Sequence, residues 1–179
     1  MIIRRANTND IDGINKLLKQ VLRVHHQGRP DLFKSSGKKY TDSQLKNIIC
    51  SDDTPVFVAI NDSGDVLGHA FCRIKYSKNS NVLNDIKTFY LDDLCIEENS
   101  RGQHIGKLLY ENVVSYAKEL NCYNLTLNVW SCNESAMKFY EACGLVPQSV
   151  TMEKILWKTV SMWILNDEDM TLFWLEATN

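Results

Sequence analysis

A strand-like segment that contains two acids and runs into a glycine-containing turn constrains this chain more than any other feature. Residues 88–107 read Thr-Phe-Tyr-Leu-Asp-Asp-Leu-Cys-Ile-Glu-Glu-Asn-Ser-Arg-Gly-Gln-His-Ile-Gly-Lys, and an amphipathic stretch follows directly. The pattern predicts a strand, a loop and a helix in that order. The first turn of a helix leaves backbone N–H groups without partners at the positive end of its dipole, and Arg101 and Lys107 add charge there. The segment therefore predicts a site for a phosphate group.

The rest of the chain predicts strands and helices on either side of this unit. Strands are predicted at 2–4, 56–60, 66–74, 89–96, 125–130 and 150–156, with a turn at 61–65 and a loop at 77–87. Helices are predicted after a cap at Thr8 or Asn9, after a capping box at Thr41, after Lys107, and from Glu134 to Cys143 behind a cap at Asn133. The order β-α-α-β-β-β-α-β-α-β predicts a mixed α/β sheet and argues against a doubly wound one.

Length, charge and cysteine usage exclude several classes of protein. The chain has 179 residues, which suits one domain, and its formal net charge of −2 argues against a general nucleic-acid or membrane-surface binder. Its six cysteines form no Cys-x-x-Cys pair and no zinc spacing with histidine, so we expect no metal site and a reducing, cytoplasmic location. We find no signal peptide and no apolar stretch of the length that spans a bilayer.

The segment from Asn133 to Leu145 is the most specific motif in the chain. It resembles the second signature of the GCN5-related N-acetyltransferases (GNAT), Asn-x-x-Ala-x-x-Phe-Tyr-x-x-x-Gly-Phe, with leucine in place of the last phenylalanine. The matching residues are Asn133, Ala136, Phe139, Tyr140 and Gly144. The loop after the acidic strand is similar to the pyrophosphate loop of the same family, Arg/Gln-x-x-Gly-x-Gly/Ala. Arg101, Ile105 and Gly106 fit this loop, and His104 stands where its first glycine usually is.

The resemblance implies a fold, a cofactor and an activity. The fold is a mixed central sheet of six to seven strands, splayed between its two central strands and flanked by about four helices, over residues 1–156. The implied activity is transfer of an acetyl group from acetyl-CoA to a primary amine of a small molecule or protein. Backbone N–H groups of Leu94, Cys95 and Ile96 would contact the thioester and the pantetheine arm. The remaining implied cofactor contacts are Arg101, Gly102, Gln103, His104, Ile105, Gly106, Lys107, Asn133 and Ala136.

The resemblance also implies catalytic roles. Tyr140 would donate a proton to the sulfur of CoA, although a buried core tyrosine would also fit the pattern. Polyamine acetyltransferases of the superfamily carry Leu-Glu-Asp where this chain has Leu91-Asp92-Asp93, so Asp92 is the first candidate base and Asp93 the second. Strand alternation predicts that these two acids lie on opposite faces. Both could instead be structural acids paired with arginine or lysine, and the chain could be a non-catalytic acyl-CoA-binding regulator.

Two regions remain open at this point. His25 and His26 follow the first predicted helix, and they either line the acceptor site or interact with the dipole of the helix end. Residues 157–179 extend beyond the family pattern and hold three of the four tryptophans. Such an apolar segment could pack on the sheet, form a homodimer contact or complete an acceptor pocket. The acidic pair favours a cationic acceptor.

Overall fold

A computed structural model describes residues 1–156 of the chain. It contains a five-stranded mixed sheet formed by β1 (Ile2–Arg5), β2 (Val56–Ile60), β3 (Val66–Ser77), β4 (Ile86–Ile96) and β5 (Asn124–Leu127). The four helices are α1 (Ile11–Gly28), α2 (Asp42–Ile49), α3 (Ile105–Glu119) and α4 (Glu134–Ala142). The strands lie in sequence order, with antiparallel pairs from β1 to β4 and a parallel pair between β4 and β5.

The predicted order of elements is confirmed up to α4, and the predicted last strand is wrong. Residues 150–156 form no regular secondary structure, so the described part of the chain has five strands and not six to seven. The predicted extension at 157–179, with its possible dimer contact, lies outside the described residues. No helix among residues 1–156 is long and apolar enough to cross a membrane.

Local sequence explains the ends of the helices that flank the site. The Thr41 hydroxyl and the Gln44 side chain form the predicted capping box of α2. The cap before α1 is Asn7, not Thr8 or Asn9, because its side chain accepts from the Asn9 N–H and opens a short 3₁₀ turn ahead of the helix. Helix α1 then runs to Gly28, so the segment between α1 and α2 begins only at residue 29.

Helices cover both faces of the sheet and bury two apolar clusters. Helix α3 packs on one face, where Leu109 and Val113 meet Phe89 and Leu91. Helices α1 and α2 cover the other face, where the buried residues include Ile14, Leu18, Leu45, Ile49, Val56, Val58 and Phe71. Burial of this apolar surface on both sides fixes the position of β3 and β4 in the middle of the molecule.

A β-bulge interrupts β4 at the acidic pair. Cys72 of β3 pairs with Leu91, whereas the preceding Phe71 pairs with Asp93, so Asp92 is an extra residue on β4. A bulge of this kind shifts the alternation of side chains by one position. Leu91 and Leu94 therefore both pack towards α3, while the Cys95 thiol lies near the Leu17 carbonyl of α1 on the other face.

In the described part of the chain, strand β4 has two neighbouring strands along its first part and one along its second. Its parallel pairing with β5 covers Thr88 to Leu91 and stops there. Its antiparallel pairing with β3 continues to Ile96. Among residues 1–156, no strand pairs with the other edge of the second half of β4, at the position where the resemblance implies a splay between two strands.

Candidate active site

The loop before α3 leaves six consecutive backbone N–H groups without partners in the described structure. The Arg101 N–H contacts the Glu98 carbonyl at 3.4 Å, and the next bonded amide is that of Leu108, which donates to the His104 carbonyl at 3.1 Å. The amides of residues 102–107 lie between these two bonds. They meet the positive end of the α3 dipole, so the loop can bind an anionic group such as a diphosphate.

Two residues of this loop adopt the left-handed conformation that exposes the amides. Gly102 has a φ of +77° and His104 has a φ of +61°. His104 therefore carries backbone strain that the glycine usual at this position would avoid. The side chains of Gln103 and His104 are exposed, and Lys107 lies 3.9 Å from Glu111 on the surface of α3.

The predicted phosphate loop and the second motif meet at Gly106. A Cβ atom added there would lie 3.4 Å from a side-chain carbon of Ile96 and 3.6 Å from the ring of Phe139. The start of α3, marked by buried Ile105, is thus held against the end of β4 and against α4. Arg101 strengthens this junction because its Nε donates to the Ile96 carbonyl at 3.2 Å.

Amides at the end of β4 face the edge that lacks a strand partner. The Glu97 N–H donates to the Leu67 carbonyl at 2.8 Å, and so points towards β3. Because amide directions alternate along a strand, the Cys95 N–H also points towards β3, and those of Leu94 and Ile96 point away from it. Of the three predicted amides, Leu94 and Ile96 are available to a ligand, whereas Cys95 belongs to the β3–β4 ladder.

Helix α4 carries Tyr140, which packs against the same apolar cluster as Leu94 and Ile96. Asn133 caps the helix by accepting from the Ala136 N–H at 3.2 Å, so its side-chain oxygen and that amide are already engaged. Burial, followed by the nearby charge of Asp93, raises the pKa of Tyr140 above its ordinary value. The phenol therefore stays protonated at neutral pH and can act as a proton donor.

One ammonium group bridges the two acids of the predicted catalytic pair. Lys39, in the segment between α1 and α2, places its Nζ 3.2 Å from Asp92 Oδ2 and 3.0 Å from Asp93 Oδ2. The prediction that the acids lie on opposite faces is wrong, because the bulge at Asp92 interrupts the alternation. Both carboxylates therefore belong to one site, as they would in binding a single amine.

Asp93 is the more buried of the two acids, with 7% of its side chain exposed against 20% for Asp92. Burial alone would raise the pKa of Asp93, but its contact with His69 at 3.4 Å and the charge of Lys39 lower it to about 2. His69 is itself buried, with no exposed surface. Asp93 is thus an ionised group suited to holding a cation rather than accepting a proton.

An aromatic cluster lies beside the acid pair. The rings of His25 and Phe33 are 4.8 Å apart, and Trp130 meets Phe33 at 5.2 Å. Burial lowers the pKa of His25, and the charges of Asp93 and Lys39 also reach it. His26 instead contacts the Phe33 carbonyl through Nδ1 at 2.7 Å. Of the two histidines, His25 is the one whose ring also meets Trp130, with centroids 6.5 Å apart.

Sequence reasoning missed three residues that contact the acids. Lys39 comes from a segment without regular structure, and nothing local predicts where that segment lies. Arg73 donates to Asp92 Oδ1 at 2.9 Å, and His69 contacts Asp93. Both lie on β3, where His69, Phe71 and Arg73 occupy the positions between the alternating apolar residues. A histidine within an apolar strand is the signal that could have identified the partner of a buried acid.

Comparison with known proteins agrees with the two motifs that meet at this site. The profile of the Acetyltransferase (GNAT) family matches residues 20–145. Glucosamine 6-phosphate N-acetyltransferase of Arabidopsis thaliana is 29% identical over 68 residues, which are 38% of this chain and 44% of that protein. Thialysine N-epsilon-acetyltransferase of Bos taurus is 32% identical over 81 residues, which are 44% of each. The matches thus span less than half of the length of these curated relatives.

A solved structure covers more of the chain than these relatives do. The crystal structure of a mutant of the BH1408 protein from Bacillus halodurans superposes with a TM-score of 0.85 at 29% identity, covering 88% of this chain and 100% of that one. The family profile covers most of the chain, and both motifs meet at one site. The chain belongs to the acetyltransferase (GNAT) family, whose members use acetyl-CoA.

Proposed function

We propose that this protein is an acetyl-CoA-dependent N-acetyltransferase that acetylates a primary amine of a small molecule or protein. The observation that supports this most is the free edge of β4, because it leaves the Leu94 and Ile96 amides beside the unpartnered amides of residues 102–107. A long ligand with a diphosphate at one end and a thioester at the other requires donors in both places. Both curated relatives described above are named for the transfer of an acetyl group to a small amine.

Different residues carry the successive steps of the proposed reaction. The acid pair holds the acceptor ammonium, and Asp92, the more exposed acid, takes its proton directly or through a water molecule. The Leu94 N–H donates to the thioester carbonyl oxygen as negative charge develops there. The amine nitrogen forms the new bond to the acetyl carbon while the carbon–sulfur bond breaks. Tyr140 gives its proton to the departing thiolate, and the second proton that the nitrogen loses as the amide forms passes through water to the tyrosinate and restores the phenol.

The proposal is tested by release of CoA thiol from acetyl-CoA in the presence of a panel of amines. We expect acetyl-CoA to bind in calorimetry and thiol release to depend on the amine. Loss of acetyl-CoA binding altogether would refute the proposal. Binding with no turnover on any amine would favour a non-catalytic acyl-CoA-binding regulator, a second candidate that the strained His104 in the loop leaves open.

Three finer features belong to the same proposal. We place the catalytic domain at residues 1–156 and treat 157–179 as an extension that could mediate a homodimer. We also propose a reducing, cytoplasmic location, supported by six cysteines that are all free. A shorter chain ending at Leu156 would test the extension, because an unchanged mass in solution would exclude a role in dimer formation.

A further inference from the structure

The amine site implied by the proposed function is already filled by a side chain of the protein. Lys39 Nζ makes contacts of 3.2 and 3.0 Å with one oxygen of each acid, as an acceptor ammonium would. Its neighbour Tyr40 stacks on Phe71 of β3 with ring centroids 5.8 Å apart, which fixes this part of the segment above the sheet. An acceptor amine can reach both acids only if the Lys39 ammonium moves away.

The remaining oxygens of the acid pair are also engaged. Asp92 Oδ1 accepts from Arg73 Nη2 at 2.9 Å, and Asp93 Oδ1 contacts His69 Nε2 at 3.4 Å. Lys75 lies close by, with its Nζ over the ring of Tyr90 at 3.2 Å from the centroid. The two negative charges of the acids thus face three positive charges, those of Lys39, Arg73 and Lys75. This side of the site therefore has no excess of negative charge to attract a polycation.

Displacement of Lys39 has opposite consequences for two classes of acceptor. A polyamine that displaced Lys39 would leave its ammonium without an anionic partner. It would also bring more positive charge towards Arg73 and Lys75. An amine that also carries an anionic group would take the acids and offer its own anion to the displaced Lys39. The number of ion pairs is then conserved, and no charge is left uncompensated near the protein surface.

We infer that Lys39 is a specificity-determining residue that selects small amines carrying a carboxylate or phosphate group over polyamines. The inference rests on the proposed function, because it takes the acid pair as the amine site. An acceptor that carries both an amine and an anionic group thus takes the place of the purely cationic acceptor that the acidic pair alone would favour. Lys39 acts by exchange: its ammonium leaves the acids when the acceptor amine arrives and then pairs with the acceptor anion.

The test compares acceptors that differ only in the anionic group. Lysine and cadaverine differ by a carboxylate, and glucosamine 6-phosphate and glucosamine differ by a phosphate, so the two pairs distinguish the two anions. For the full chain we expect kcat/KM to be higher for the anionic member of at least one pair, by about tenfold, the scale of one hydrogen bond to a charged group. Lys39→Met should remove this preference, mainly through KM of the anionic member.

A matched variant separates specificity from stability. Lys38→Met removes the adjacent charge, which pairs with Asp42 at 3.1 Å and not with the catalytic acids, so the preference should stay unchanged. Equal or better turnover of the member without the anion in both pairs, cadaverine and glucosamine, by the unchanged protein would overturn the inference while leaving N-acetyl transfer standing. An equal loss for both members of a pair in Lys39→Met would also overturn it. Absence of turnover on every amine would remove the proposed function and the inference together.

Discussion

Replacement of Asp93 by asparagine tests the electrostatic account of the site directly. The carboxylate has a pKa of about 2 in the folded protein against an ordinary value of 3.8. Because the folded-state pKa is the lower one, ionisation of Asp93 stabilises the folded protein above pH 3.8, and this stabilisation is lost as the pH falls towards 2. A difference of nearly two units corresponds to about 2 kcal/mol at pH 7.

The same reasoning sets the pH dependence of the loss. At pH 3, between the two pKa values, about half of the stabilisation remains, or about 1 kcal/mol. Asparagine has nearly the shape of aspartate and can still accept one hydrogen bond from Lys39 or His69, so the change removes mainly the charge. We therefore expect Asp93→Asn to lower the free energy of unfolding by about 2 kcal/mol at pH 7 and by about 1 kcal/mol at pH 3.

Urea denaturation of both proteins at the two pH values measures this difference. Asp52→Asn is the matched control, because Asp52 is exposed and lies 3.8 Å from its nearest cation, Arg5, so little effect is expected at either pH. Equal stability of Asp93→Asn and the unchanged protein at pH 7 would refute the reasoning. A deficit of the same size at pH 3 and pH 7 would show that packing, and not charge, is responsible.

Three further predictions concern the chemistry and the cofactor loop. Tyr140→Phe should lower kcat by about 100-fold while acetyl-CoA binding, measured by calorimetry, is retained, because the phenol donates only during transfer; Tyr123→Phe, at an exposed site, should have no effect. Asp92→Asn should lower kcat/KM by about 100-fold at pH 7, and the loss should shrink towards pH 10 as the free amine no longer needs a base; a pH-independent loss would contradict the role. Gly102→Ala and Gly64→Ala both place alanine at a positive φ with open space around it, and each should destabilise the fold by about 1 kcal/mol. Only Gly102→Ala should also weaken acetyl-CoA binding, and equal affinity in the two variants would argue against a role of the loop amides.

Local patterns in the sequence predict most of the fold. The apolar spacing of α1, the capping box of α2 and the turn between β2 and β3 each depend on neighbouring residues, and each is found where expected. The end of β5 and the conformation of residues 150–156 depend instead on contacts with distant parts of the chain, and these expectations were wrong. The position of Lys39 has the same origin, since no periodicity describes the segment that carries it.

In the candidate site, too, features that depend on neighbouring residues could be predicted, and features that depend on distant contacts could not. The loop at 101–106 and the cap at Asn133 are local motifs, so their backbone geometry could be predicted. The contacts of the acid pair depend on the bulge, although the sequence does carry a sign of it. Apolar residues of β4 occur at Phe89, Leu91, Leu94 and Ile96, and the step of three between Leu91 and Leu94 breaks a period of two. Such a step within one strand indicates an extra residue.

That extra residue puts a second acid next to Asp93 without changing the face of the apolar residues on either side of it. Deletion of Asp92 would restore a single period, in which Leu91, Leu94 and Ile96 still face α3, and Asp93, opposite Phe71, still faces α1 and α2. What such a deletion would remove is the pair of adjacent carboxylates that the Lys39 ammonium contacts. One inserted residue thus gives a strand that completes the interior of the protein a second carboxylate for its site, at no cost to the packing on either side.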